Sequence, residues 1–118
     1  MSAGELRNAL QETNEVDLTV TGRKSGQEST RPIWFVEEAD RVLLLPVTGS
    51  DSNWYRNIVK TPEICLTADG AELATTATAI DDPDGVADVV GKFRAKYGAD
   101  QVEQYYPKPN AAVEVPLS

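Results

Sequence analysis

The stretch that decides the reading of this chain runs from Thr21 to Pro62: TGRKSGQESTRPIWFVEEADRVLLLPVTGSDSNWYRNIVKTP. It holds two glycine-containing turns, TGRKSG at Thr21–Gly26 and PVTGSDS at Pro46–Ser52. Apolar runs of strand character lie between them, and NWYRNIVK behind the second turn has the pattern of a short helix. Six of the eleven basic residues fall between Val20 and Lys60, facing five acids, so this window carries a net +1. The remainder carries −9, which gives −8 overall. A basic island in an acidic chain points to an anion held at one place.

On the N-terminal side, Ala3–Glu12 reads as an amphipathic helix with Leu6 and Leu10 on one face. EVDLTVT at Glu15–Thr21 alternates apolar and polar residues, the mark of a half-buried strand. Thr30–Glu37 is a second strand, with Pro32 near its start, where a missing N–H is tolerated. EADR (Glu38–Arg41) reads as a hairpin connection into Val42–Pro46. On the C-terminal side, Asp51 or Ser52 caps a helix over Asn53–Lys60 that Thr61-Pro62 ends. Glu63–Ala68 and Glu72–Ile80 read as two strands joined across Asp69-Gly70. Val86, Val89, Val90, Phe93 and Tyr97 then recur at helical spacing before Gly98. Asp100–Tyr106 suggests another helical turn, and AAVEVPL at Ala111–Leu117 a closing strand. About six strands and two or three helices, linked by hairpins rather than βαβ crossovers, predict one α+β domain over residues 1–118. Its sheet is expected to be mainly antiparallel and to close, wholly or in part, into a barrel.

Composition narrows the chemistry. The chain has no histidine and a single cysteine, Cys65, so neither a Cys/His zinc site nor a Ser-His-Asp or Cys-His nucleophile can be built within it. No metal site is expected. An acidic chain disfavours sequence-independent binding to nucleic acid. Val42–Leu45, the longest aliphatic run, is too short to span a bilayer, and MSAGELRNALQETNE lacks a signal-peptide pattern. With one cysteine the expected setting is reducing and cytoplasmic. Chemistry therefore falls to a cofactor, or to Tyr, Ser, Lys and carboxylates.

In TGRKSG, successive backbone N–H groups, Arg23, Lys24 and Ser25 could hold an anion, although a solvated basic turn gives the same hexapeptide. PVTGSDS offers Thr48, Ser50 and Ser52 as donors, and Gly49 lets a ligand approach the backbone. Trp54 is either a core anchor or an indole lying against a flat ring at a pocket mouth. Trp34 reads as core or subunit interface, and Cys65 as a small buried hydrophobe. Tyr105-Tyr106-Pro107 either lines a pocket or closes the core. Glu37-Glu38 and Asp81-Asp82 read as solvated pairs, not acid/base dyads.

The order TGRKSG, Arg31-Pro32, LLLPVTGS, NWYRNIVKTP resembles the deazaflavin-dependent nitroreductases, also described as F420H2-dependent quinone reductases. The match is dense from Leu18 to Leu66. The resemblance implies a split β-barrel of the pyridoxamine-phosphate-oxidase and flavin-reductase (FMN-binding-like) type. It also implies coenzyme F420, a deazaflavin with a phosphodiester and an oligoglutamate tail, with FMN as the alternative cofactor. Arg23, Lys24, Ser25 and Gly26 would then hold the phosphate and tail. Pro46, Val47, Thr48 and Gly49 would lie along the ring with Ser50 nearby, and Trp54, Arg56 and Asn57 would close the site. The implied activity is hydride transfer to a small electron acceptor: a quinone, an activated alkene or a nitro compound. A non-catalytic carrier of a flat cofactor or apolar ligand is the alternative. With no histidine, the proton would come from Tyr55, Tyr105, Tyr106, Ser50 or solvent. The fold type further implies a homodimer, with Trp34 and Val42–Leu45 as interface residues.

Overall fold

The computed structural model of the chain describes residues 3–38, 41–106 and 110–117. Its elements follow in the order α1 (Ala3–Leu10), β1 (Glu15–Thr21), β2 (Glu28–Glu38), β3 (Arg41–Leu44), a 3₁₀ turn (Gly49–Asp51) and α2 (Asn53–Lys60). The second half runs β4 (Glu63–Ala68), β5 (Ala71–Thr76), β6 (Thr78–Ile80), α3 (Pro83–Tyr97), α4 (Ala99–Tyr105) and β7 (Ala112–Pro116).

Seven antiparallel strands form one sheet in the order β5-β4-β1-β2-β3-β7-β6. The two edge strands, β5 and β6, are separated in sequence by a single residue, Ala77. Strands at opposite edges can be so joined only if the sheet curls until its edges meet. The result is a split β-barrel, closed by the chain itself at Ala77. That residue is buried, and its N–H donates to the Pro62 carbonyl at 2.8 Å.

The alternation in β1 is realised: Val16, Leu18 and Val20 point into the barrel, where they meet Phe35, Val42, Leu44, Ile64, Leu66, Val113 and Val115. Leu6 and Leu10 of α1, together with Trp54, Tyr55 and Ile58 of α2, complete this inner core. A second core lies outside the barrel wall. There Val36, Leu43, Leu45 and Ala112 are covered by Val86, Val89, Val90 and Phe93 of α3 and by Val102 and Tyr106 beyond it. β3 is thus apolar on both faces because both are covered. Val42, Leu43 and Leu44 are each 0% exposed within one chain. This removes the Val42–Leu45 run as a subunit interface.

Other expectations shift in detail. Glu72–Ile80 is not one strand, since it breaks at Ala77 to change edges. Ala99–Tyr105 is a full α4, so the described residues hold four α-helices rather than two or three. Cys65 is half-buried rather than buried. Asp69 and Gly70 form the expected tight turn, both with positive φ (48° and 81°), the geometry that an Asp-Gly hairpin demands. Glu38 pairs with Arg41 across the EADR connection, whose tip, residues 39–40, lies outside the described residues.

β2 changes partner part-way along its length. Glu28–Trp34 pairs with β1, and Phe35–Glu38 pairs with β3. Pro32 therefore sits inside the strand, not at its start, and needs a partner on only one side, Asp17. At the changeover β1 has ended, and the Tyr97 hydroxyl takes its place. The hydroxyl accepts from the Phe35 N–H at 3.1 Å and lies 2.6 Å from the Phe35 carbonyl and 3.0 Å from the Asn14 carbonyl. Lys96 Nζ donates to the same Phe35 carbonyl at 2.8 Å. The end of α3 is thereby fixed to β2 where its pairing changes, beside Trp34.

Candidate cofactor and acceptor groove

Two neighbouring depressions share Trp54. The first, about 400 Å³, is polar and basic: Gly22, Arg23, Lys24 and Ser25 come from the β1–β2 turn, Ser29 and Arg31 from β2, and Asn53 and Asn57 from α2. The second, about 360 Å³, is apolar: Pro32, Ile33 and Trp34 of β2 face Leu45, Val47, Trp54, Tyr105 and Tyr106, with Glu15 at the rim. The side of β2 between Glu28 and Trp34 that faces away from β1 is unpaired, and its residues run past both depressions.

Local bonding explains the turn. The Gly22 N–H donates to the Gln27 carbonyl at 2.8 Å and the Gly26 N–H to the Gly22 carbonyl at 2.9 Å, with Gly26 at φ 72°. A Cβ on Gly22 would meet Ser25 Oγ at 2.9 Å, so this glycine permits the tight closure. Asn57 anchors the turn to α2: its Oδ1 accepts from the Arg23 N–H at 3.1 Å and from Arg23 Nη1 at 2.8 Å. Arg23 also reaches the Asn53 carbonyl at 3.3 Å, and Lys60 Nζ donates to the Arg23 carbonyl at 2.7 Å. The Gln27 N–H is taken by Ser25 Oγ at 3.1 Å. The amides of Gly22, Arg23, Gly26 and Gln27 are therefore occupied internally. Of the successive N–H groups expected to face an anion, those of Lys24 and Ser25 make no such bond among the described residues, and Arg23 and Lys24 bring the positive charge. Lys24 and Arg31, both exposed, make no ion pair among the described residues.

The second depression is walled by aromatic rings. Trp34 stacks on Tyr97 with centroids 4.3 Å apart and planes 14° off parallel. Tyr105 meets Trp34 edge-on at 5.4 Å, and Tyr106 meets Phe93 edge-on at 5.7 Å. These are the favoured aromatic geometries and fix the rings in place. Burial pushes the Tyr106 hydroxyl well above its usual pKa, so it stays protonated at any working pH.

Of the residues read from the sequence, Arg23, Lys24, Ser25, Trp54 and Asn57 line the first depression, and Val47, Trp54, Tyr105 and Tyr106 the second. Gly26 shapes the turn without lining it. Pro46 and Gly49 are buried in the connection behind Val47, and Thr48 precedes the 3₁₀ turn. Ser50 is tied to Asn110, which accepts from its N–H at 2.9 Å and donates to its Oγ at 3.2 Å. Arg56 points to that turn instead of the groove, bonding the Ser50 carbonyl at 3.3 Å and Asp51 at 3.2 Å. Tyr55 lies in the inner core and lines neither depression; burial, then Asp81, raises its pKa. Pro107 lies outside the described residues. Trp54 is both things at once, 4% exposed in the core and the wall common to both depressions. The sequence reading missed Ser29, Arg31 and Asn53 as lining residues; Trp34, read as core or subunit interface, packs against the outer core and also lines the second depression.

The fold is a split barrel, with a basic and an aromatic depression adjoining at Trp54. The chain belongs to the F420H(2)-dependent quinone reductase family, whose model matches residues 1–113. In structure it is similar to an F420-H2 dependent reductase, FDR-A, at 20% identity and TM-score 0.67, over 86% of this chain and 93% of that one. It is also similar to a putative pyridoxamine 5'-phosphate oxidase from Listeria innocua at 12% identity and TM-score 0.68, over 96% and 90%. A further match, described as a domain-swapped dimer, shares 20% identity at TM-score 0.67, over 95% and 93%. Among the described residues no helix is long and apolar enough to cross a membrane.

Proposed function

We propose that this chain is an F420-dependent reductase, binding the cofactor along the groove and using it to reduce a small acceptor, a quinone first among them. One observation carries the reading: a depression bordered by Arg23, Lys24 and Arg31 shares the Trp54 wall with an aromatic depression. A ligand with several negative charges at one end and a flat ring at the other matches that layout. The donor set fits the group. Arg23, Lys24, Ser25 and Arg31 would hold the phosphodiester and glutamate carboxylates, and Trp54 and Val47 would flank the ring.

When bound, the reduced cofactor supplies a hydride to a two-electron acceptor. The chain's own share is binding, orientation and exclusion of water. Trp34, Ile33 and Leu45 give an apolar wall that keeps water from the reacting faces. Tyr106 Oη, held protonated by burial, can donate a hydrogen bond to an acceptor oxygen. Tyr105 is 47% exposed at the mouth and links that oxygen to solvent, the final source of the proton. Tyr55 and Ser50 are less suited, since neither lines the aromatic depression. We also propose a cytoplasmic homodimer. Sedimentation at micromolar concentration should give twice the chain mass, and a single-chain mass would contradict it.

Titration with F420 and separately with FMN, followed by ligand fluorescence, tests the cofactor. F420 should bind tightly and FMN weakly, because a mononucleotide phosphate uses only part of the basic set. A preference for FMN would replace the cofactor while keeping the site, and binding of neither would overturn the reading.

A further inference from the structure

The aromatic depression carries one charge of its own. Glu15, the first residue of β1, lies directly across the ladder from Trp34. Paired residues of antiparallel strands project to the same face, with Cβ atoms about 5 Å apart. The side chains of Glu15 and Trp34 therefore leave the sheet on one face, and both residues line the depression. Trp34 cannot turn away, because Tyr97 covers one face of its ring at 4.3 Å. Nor does Glu15 make an ion pair among the described residues. The three cations of the groove all lie in the other depression, beyond Trp54.

Building on the reading that this groove holds a cofactor and its acceptor, we propose that Glu15 and Trp34 form a charge filter on the acceptor. Flat acceptors that are neutral or cationic enter the aromatic depression, and anionic ones are rejected. The reasons are elementary. A carboxylate beside low-dielectric aromatic walls repels an anion more strongly than it would in open water. The negative face of the indole adds to that repulsion and attracts a cation. The division of labour is consistent: one end of the groove selects for anionic charge and the other against it.

The test needs no turnover. Quinones quench indole fluorescence, so a neutral 1,4-naphthoquinone and its 2-sulfonate can be titrated into the cofactor-free protein at low ionic strength. Wild type should bind the neutral quinone the more tightly. Glu15→Gln should narrow the ratio of dissociation constants by about threefold to tenfold, leaving the neutral quinone within twofold. Glu15→Lys should narrow it further, roughly by the square of that factor. Glu63→Gln changes the net charge equally at a residue lining neither depression, and should leave the ratio near its wild-type value. An unchanged ratio in both Glu15 variants, or an equal shift in Glu63→Gln, would overturn the filter. Failure of wild type to bind either quinone would overturn it too. F420 titration of the same sample then shows separately whether the cofactor reading stands.

Discussion

At the scale of single residues, the groove combines side chains that hold the fold with exposed basic side chains that make no ion pair among the described residues. Asn57 is 9% exposed, and its Oδ1 receives both the main-chain and side-chain N–H of Arg23. Asn57→Ala leaves those donors without that partner and should lower stability by about 1–3 kcal/mol, measured by urea denaturation. Lys24 is exposed and has no ion pair among the described residues. Lys24→Ala should leave the denaturation midpoint unchanged while weakening F420 binding by about threefold to tenfold at low salt. The opposite pattern would mean that the basic depression is only structural. The resemblance implied Asn57 as a residue closing the site, but nothing in NWYRN disclosed the bond that fixes the turn. That role depends on a contact 34 positions away along the chain.

At the scale of elements, α3 governs the aromatic depression through Tyr97. The Tyr97 hydroxyl joins Asn14 and Phe35 where β1 stops, and its ring backs Trp34. Burial pushes its pKa up from 10.0 to about 12, although the Phe35 main chain pulls the other way. A tyrosine whose pKa is raised on folding contributes stability that is complete below pH 10 and is lost as pH rises toward 12. The wild-type protein should therefore lose stability across that alkaline window, and Tyr97→Phe should start less stable and lose less. Equal alkaline slopes in the two proteins, followed by tryptophan fluorescence, would contradict this. The helical spacing of Val86, Val89, Val90, Phe93 and Tyr97 was readable because one buried stripe imposes it. The target of Tyr97 was not, because an apolar periodicity records that a ring is covered and not where its hydroxyl goes. Trp34 does pack against the outer core, as one of its readings had it, but its place in the depression was not legible for the same reason: its surroundings come from a β1 residue across the ladder and from two helices far along the chain.

At the scale of the whole molecule, the antiparallel barrel was legible from alternation in β1 and from the Asp69-Gly70 turn. The point at which it closes was not. The sheet closes at Ala77, a buried residue with no turn signature, which lets β5 and β6 leave opposite edges of one sheet. The same architecture leaves half of β2 unpaired on one side. That open side brings Arg31, seven residues from Lys24, into one basic depression with it and places Trp34 in the next. The most direct measurement compares full-length F420 with its ring-bearing fragment stripped of phosphate and glutamates, titrated against wild type and a Lys24→Ala/Arg31→Ala double variant. Wild type should bind the full cofactor at least about tenfold more tightly at low salt, with the advantage shrinking as salt rises and in the double variant. Equal binding of the two ligands by wild type, at every salt concentration, would contradict a groove whose basic end holds the cofactor's anionic tail.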